Sequence, residues 1–89
     1  MSLVSINPAT GEKFREYQET SQEETEVILR QAQDDFLRWR ETTFEHRRDL
    51  LLKVAADLRS NSQRYAEIMT AEMGKPIKEG RAEAEKSAW

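Results

Sequence analysis

Two short motifs in the middle of the chain mark places where helices should begin. Ser21 is followed by Glu24, and Thr42 by Glu45, which is the spacing of a capping box. In that motif the hydroxyl accepts a hydrogen bond from a first-turn backbone N–H, and the glutamate accepts one from the N–H of the cap residue. Apolar residues recur at every third or fourth position after both motifs, as on one face of a helix. The middle of the chain is therefore predicted to fold as two amphipathic helices.

The first predicted helix covers about residues 22–40 and the second about residues 43–59. Their apolar positions are Ile28, Ala32, Phe36 and Trp39 in the first, and Leu50, Leu51, Val54, Ala55 and Leu58 in the second. Burying one leucine side chain fully contributes about 2 kcal/mol, whereas an N-cap contributes about 1 kcal/mol. Packing of these faces should therefore matter more to stability than the caps.

Further helix boundaries follow toward the C-terminal part of the chain. Residues 60–62, Ser-Asn-Ser, provide cap residues for a third helix over about 62–73. Gly74 suits the left-handed conformation that closes a helix, and Pro76 resists its continuation. A fourth helix is then predicted over about 77–89.

The fourth predicted helix carries small residues along one face. Gly80, Ala84 and Ala88 recur there at every fourth position, which suits close approach of another backbone. No glycine, asparagine or proline ends the pattern before Trp89. Because such an end is typical of a cut through a helix, we expect the chain to be a truncated piece of a longer one.

Residues 3–18 are predicted to form a β-hairpin. Apolar side chains flank Ser5, and residues 7–11, Asn-Pro-Ala-Thr-Gly, combine a proline that fixes φ with a glycine that tolerates positive φ. Phe14 and Tyr17 are three positions apart instead of two, so we expect a bulge or an early end to pairing. A two-stranded hairpin is only marginally stable in water. It therefore needs a surface to lie against.

Charge and composition narrow the classes of function. The chain has 14 Lys and Arg residues against 17 Asp and Glu, giving a net charge of −3, with both signs interspersed. It lacks the broad positive field that attracts a polyanion, so we expect no nucleic-acid partner. No apolar segment reaches the roughly 18 residues of a membrane span, and the first residues do not resemble a secretory signal. We therefore expect no membrane partner and a cytoplasmic location.

Basic residues are densest between Arg38 and Arg48, where Glu41 and Glu45 interrupt them. This mixture favours a solvated helix junction, with a phosphate-binding site as the alternative. His46 is the only histidine of the chain and lies in the same run. At the start of a predicted helix among charges, it is better explained as an exposed polar residue than as a general base or metal ligand.

Four carboxylates near the end of the chain are candidates for acid–base chemistry: Glu72, Glu79, Glu83 and Glu85. A glycosidase needs two such groups facing each other across a sugar. Glu79 and Glu83 are instead four positions apart on one solvated helix face, among basic residues. Ordinary surface charge is therefore the favoured interpretation.

Cofactor and metal sites are not predicted in this chain. Its three glycines, Gly11, Gly74 and Gly80, are too far apart to form a dinucleotide or phosphate loop. Gly74 followed by Lys75 is better explained as a helix end than as a phosphate contact. The chain has no cysteine, and its aspartates do not follow the pattern of a calcium loop. We predict no catalytic, cofactor-binding or metal-binding residue within the 89 residues.

Two segments nevertheless resemble the aldehyde dehydrogenase family. They are residues 6–12, Ile-Asn-Pro-Ala-Thr-Gly-Glu, and residues 72–76, Glu-Met-Gly-Lys-Pro. Between them lie residues 36–39, Phe-Leu-Arg-Trp, and the pair Arg47-Arg48, so the resemblance extends along essentially the whole chain. Ala71 before the second segment, and residues 83–88 after it, look most like succinate-semialdehyde dehydrogenases.

The resemblance implies an NAD- or NADP-dependent oxidation of a small aldehyde to an acid through a cysteine-bound thioester. The family's catalytic cysteine, glutamate and asparagine and its cofactor-binding residues match no position here, and the resemblance places them beyond Trp89. It implies that residues 1–89 are the N-terminal part of the cofactor-binding domain of an α/β Rossmann-like fold. It also implies a homo-oligomer.

We expect this chain itself to be mainly α-helical with an N-terminal β-hairpin and to be inactive alone. Its main partner would be the remainder of the parent polypeptide, and it would bind neither NAD nor NADP unaided. The alternative is a stand-alone helical protein-interaction module, which the amphipathic faces also favour. A small enzyme in its own right is a third and weaker hypothesis, because the chain lacks a nucleophile with an adjacent base.

Overall fold

The computed structural model describes residues 2–89 and confirms a mainly helical chain with an N-terminal hairpin. Its elements are β1 (Ser2–Ile6), β2 (Lys13–Gln18), α1 (Gln22–Trp39), α2 (Phe44–Ser60), α3 (Ser62–Met73) and α4 (Ile77–Ala88). All predicted elements are present with bounds within about two residues of those expected, which is the usual scatter of helix ends.

Strands β1 and β2 pair in antiparallel fashion around a tight turn. Ser5 is opposite Arg15 but Ile6 is opposite Lys13, so Phe14 is an extra residue and forms the predicted bulge. In the turn, the side-chain Oδ1 of Asn7 accepts a hydrogen bond from the Ala9 backbone at 2.9 Å. The Gly11 N–H donates to the Asn7 carbonyl at 2.8 Å.

The first capping box is confirmed and the second is wrong by one residue. Ser21 Oγ accepts from the Glu24 N–H at 3.1 Å, and Glu24 Oε2 accepts from the Ser21 N–H at 3.1 Å. Helix α2 is capped by Thr43, whose hydroxyl accepts from the His46 N–H at 3.1 Å, and not by Thr42. The Thr42 hydroxyl instead donates to the carbonyl of Trp39, the last residue of α1, at 2.6 Å.

A bend of one residue separates α2 from α3. Asn61 ends α2 and precedes α3, and its side chain makes no cap hydrogen bond to α3. Its amide Nδ2 donates instead to Asp57 Oδ1 at 2.9 Å, one turn back along α2. The hydroxyl of Tyr65 also donates to Asp57, so this carboxylate joins the two helices.

Helix α3 ends at Gly74 as predicted. Gly74 has φ of +72°, and its N–H donates to the Thr70 carbonyl at 3.0 Å. The Thr70 hydroxyl lies 2.6 Å from the Lys75 carbonyl oxygen and donates to it, which holds the link to α4 against the end of α3. The chain can therefore reverse direction within three residues.

The small face of α4 packs closely against α3. Gly80, Ala84 and Ala66 are buried, and a Cβ atom on Gly80 would lie 3.0 Å from both Cα and Cβ of Ala66. This spacing leaves no room for a side chain at position 80. The predicted close approach of a second backbone is confirmed, and helix α2 packs against the same α4.

The hairpin rests on the turn between α3 and α4. The ring of Pro8 covers Gly74, since a Cβ on Gly74 would lie 3.1 Å from Pro8 Cγ. Ser5 Oγ also donates to Glu72 Oε1 at 3.4 Å. The two segments at opposite ends of the sequence, residues 6–12 and 72–76, are therefore neighbours in space.

These elements form a single flat layer. The described chain measures 47 × 37 × 13 Å, and its smallest dimension is close to the diameter of one helix with its side chains. Its radius of gyration is 17.4 Å, whereas a compact domain of this length has about 12 Å. Ordinary domains bury their apolar faces between at least two layers. This chain supplies one.

We predict that Gly80→Leu separates α3 from α4 and lowers stability by about 1–3 kcal/mol, because a side chain overfills a packed contact. Ala82→Leu is the matched control, since Ala82 lies on the exposed side of the same helix. Denaturant unfolding followed by circular dichroism measures both. Equal effects of the two substitutions would contradict the close α3–α4 packing.

Candidate interaction surface

His46 lies exposed in the first turn of α2. Its ring meets the Trp39 ring edge-on, with centroids 6.1 Å apart. Within residues 2–89, no cluster of three or more histidine, cysteine, aspartate or glutamate side chains is close enough to hold a metal ion. The structure thus places His46 beside an aromatic ring.

Two of the four candidate carboxylates, Glu79 and Glu83, line one open groove with Lys75, and Glu72 and Glu85 do not line it. Glu72 accepts a hydrogen bond from Ser5. Glu83 pairs with Lys75, which ties α4 to the turn before it. Glu79 and Glu85 are exposed on α4. These carboxylates are surface charges, and two of them make contacts within the fold.

Each of the three glycines has a structural role. Gly11 has φ of +75° in the hairpin turn, Gly74 closes α3, and Gly80 lies against Ala66. The three glycines therefore lie in separate turns and contacts and do not form one glycine-rich loop.

The basic run divides into separate local contacts. Arg38 pairs with Asp35, and Arg48 pairs with Asp49. Arg47 directs its guanidinium to backbone carbonyls at the end of α1. These residues act at the junction of α1 and α2, and they do not aim at one common point where a phosphate would lie.

Two perturbed groups belong to exposed ion pairs. The hydrogen bond that Lys75 donates to Glu83 raises the pKa of Lys75, with the charges of Glu83 and Glu79 adding to it. Hydrogen bonds from Ser2, and then from Lys13, lower the pKa of Glu16 in the hairpin. Both effects stabilise the charged form of a surface group.

Helix α1 exposes a continuous apolar face. We define the α1 stripe as Ile28, Leu29, Ala32, Phe36 and Trp39, which lie along one side of the helix. All are exposed, and Leu29 retains 64% of its surface. Within residues 2–89, α1 makes no extensive packing contact with another element. The stripe is therefore an unpartnered surface.

A second apolar patch lies on α2. Phe44 and Leu51 are 86% and 68% exposed, and Leu52 lies beside them. These side chains line an open groove with Ala55 and with Ala88 of α4. The sequence interpretation missed Phe44 and Leu52, and it also missed Leu29. Leu29 precedes Phe36 by seven residues, so the helical period could have identified it.

The chain exposes more surface than a compact monomer of its mass. The chain exposes 7579 Å², whereas a monomeric protein of 10.4 kDa exposes about 5,400 Å². The excess is far above the roughly 800 Å² per partner of a standard protein–protein interface. It is more typical of one half of a domain core. No helix within the described part of the chain is long and apolar enough to cross a membrane.

We predict a pH dependence from the Lys75–Glu83 pair. Because the folded pKa of Lys75 lies above its ordinary value of 10.5, the pair's contribution is complete below pH 10.5 and is lost as pH rises through the folded pKa. The thermal midpoint should fall less steeply in this range for Glu83→Gln than for the unsubstituted chain. Glu85→Gln, on the same helix, is the control. Identical slopes for all three chains would contradict the pairing.

Known proteins similar to this chain match it over nearly its whole length. Residues 1–88 match the model of the aldehyde dehydrogenase family. The chain is 41% identical, over 96% of its length, to succinate semialdehyde dehydrogenase [NAD(P)+] Sad of Escherichia coli (strain K12), of which it covers 18%. It is 38% identical, over 99% of its length, to succinate-semialdehyde dehydrogenase [NADP(+)] of Mycobacterium leprae, of which it covers 19%.

A more distant match has a different named substrate. The chain is 35% identical, over 91% of its length, to 1-pyrroline-5-carboxylate dehydrogenase of Bacillus subtilis (strain 168), of which it covers 16%. The chain spans less than one fifth of the length of each of these relatives. The match over nearly every residue shows that this chain belongs to the aldehyde dehydrogenase family.

Proposed function

We propose that this chain is the N-terminal part of the cofactor-binding domain of a longer NAD(P)-dependent aldehyde dehydrogenase. The observation that carries the proposal is the single layer with unpartnered apolar faces, in a chain that covers less than one fifth of its relatives. In this proposal the role of residues 1–89 is structural. They cover part of the body that binds the cofactor, and the catalytic and cofactor-binding residues lie outside them.

The substrate we propose is succinate semialdehyde. Two relatives at 41% and 38% identity carry that name, and residues 71–76 and 83–88 resemble that subfamily. The cofactor would be NAD or NADP, since the names of these relatives print NAD(P)+ and NADP(+). A homo-oligomeric and cytoplasmic enzyme stays a prediction from the family resemblance.

A chimera tests the proposal. We expect that replacing the matched segment of the Escherichia coli enzyme with residues 1–89 preserves NAD(P)H formation from succinate semialdehyde, because the same surface is covered. The same enzyme without any such segment should be inactive or insoluble. A soluble, folded chimera that lacks dehydrogenase activity would contradict the proposal. Sequencing in frame beyond the codon of Trp89 should reveal the rest of a dehydrogenase, including its cysteine.

The isolated chain distinguishes the proposed fragment from a stand-alone module. The fragment should expose its apolar faces to water, whereas the module should not. Because one layer leaves its apolar faces in water, we expect the isolated chain to bind a hydrophobic dye strongly. Phe36→Gln should reduce dye binding, whereas Asp34→Asn, on the opposite side of α1, should not. A sharp cooperative transition with no dye binding would instead favour an independent interaction module.

A further inference from the structure

The direction of α1 depends on its joint with α2. Helix α1 lacks extensive packing against other elements of residues 2–89, and the link to α2 is only residues 40–43. Such a short link restricts the distance between the two helices but leaves their angle to the contacts at the joint. Besides two backbone hydrogen bonds of the link and the edge-on contact of His46 with Trp39, those contacts are made by Arg47.

Arg47 reaches back from α2 to the end of α1. Its Nη2 donates to the carbonyl oxygens of Trp39 at 3.0 Å and Arg40 at 3.1 Å. Its Nε donates to Thr42 Oγ1 at 2.9 Å, and the Thr42 hydroxyl donates in turn to the Trp39 carbonyl. The guanidinium of Arg47 is therefore hydrogen-bonded both to the final carbonyls of α1 and to the link.

Two aromatic rings hold the same guanidinium. Its central carbon lies 5.6 Å from the Trp39 ring centroid and 5.8 Å from that of Phe44. Arg47 is half-buried, whereas the neighbouring Arg48 is exposed. Trp39 also belongs to the α1 stripe, so the contact connects the joint directly to the apolar surface.

The chemistry of the site requires arginine. A planar guanidinium presents several donors in a fixed geometry and stacks on aromatic faces, which an ammonium group does less well. The partial negative charge at the C-terminal end of a helix also favours a cation there. Hydrogen bonds of this charge-assisted kind are directional enough to fix an angle.

We propose that Arg47 is a positioning residue that sets the angle between α1 and α2 and so presents the α1 stripe to its partner. The inference rests on the proposed function, because the partner is the rest of the same dehydrogenase polypeptide. That partner offers an apolar, uncharged surface, since the stripe contains no charged residue. The length of the relatives favours this occupant over a second copy of the chain, because the chain covers less than one fifth of each of them.

The angle can be measured by distance. The chain has no cysteine, so Gln31→Cys on α1 and Lys53→Cys on α2 introduce two specific sites for spin labels. Pulsed electron paramagnetic resonance then gives the distribution of distances between the helices. Both positions are exposed, and Gln31 lies off the α1 stripe.

We expect a narrow distribution in the otherwise unsubstituted chain and in Arg48→Gln, the matched control. Arg47→Gln should lose the narrow peak while helix content by circular dichroism is unchanged. Arg47→Lys should fail to restore it, because the charge remains but the fork is lost. A broad distribution before any change at Arg47, a narrow one in Arg47→Gln, or a loss of helix content in that variant would each overturn the proposal.

The chimera separates this inference from the proposed function. In an active chimera, Arg47→Gln should lower the thermal midpoint more than Arg48→Gln does, because the stripe meets its partner at the wrong angle. Equal effects would count against the positioning role. Inactivity of the unsubstituted chimera would count against the proposed function alone and would leave the distance measurement unchanged.

Discussion

The contact between Gly80 and Ala66 organises the rest of the molecule. It brings the backbones of α3 and α4 together, and Ala66, Gly80 and Ala84 are its buried residues. Helix α2 packs on α4, and the hairpin rests on the end of α3 through Pro8. Since only small side chains are buried there, this contact fixes geometry more than it contributes hydrophobic free energy.

Most of the apolar surface of the chain is not buried within it. Leucine, phenylalanine and tryptophan side chains remain in water on α1 and α2, while each would contribute roughly 1.5–3 kcal/mol if fully buried. This distribution supports the proposal that the chain covers part of a larger body.

Local patterns predicted most of the elements, whereas tertiary contacts decided the details. Ser21 could be identified because its capping box depends on nearby residues alone. Thr42 and Thr43 are adjacent hydroxyls, and only the end of α1 determines which one caps α2. The role of Arg47 and the contact of Pro8 with Gly74 depend on chain reversal, which periodicity does not reveal. The apolar surface was predictable in part, through its period, but its lack of any covering layer was visible only in three dimensions.

The Pro8–Gly74 contact restricts which residues can occupy positions 8 and 74 of this chain. A β-carbon at position 74 would lie 3.1 Å from Cγ of the proline ring. The residue that carries it would also have to adopt φ of +72°, which L-residues other than asparagine and aspartate rarely do. The proline ring occupies the space that a side chain at position 74 would need. Any residue larger than glycine at position 74 should therefore need a smaller residue in place of Pro8.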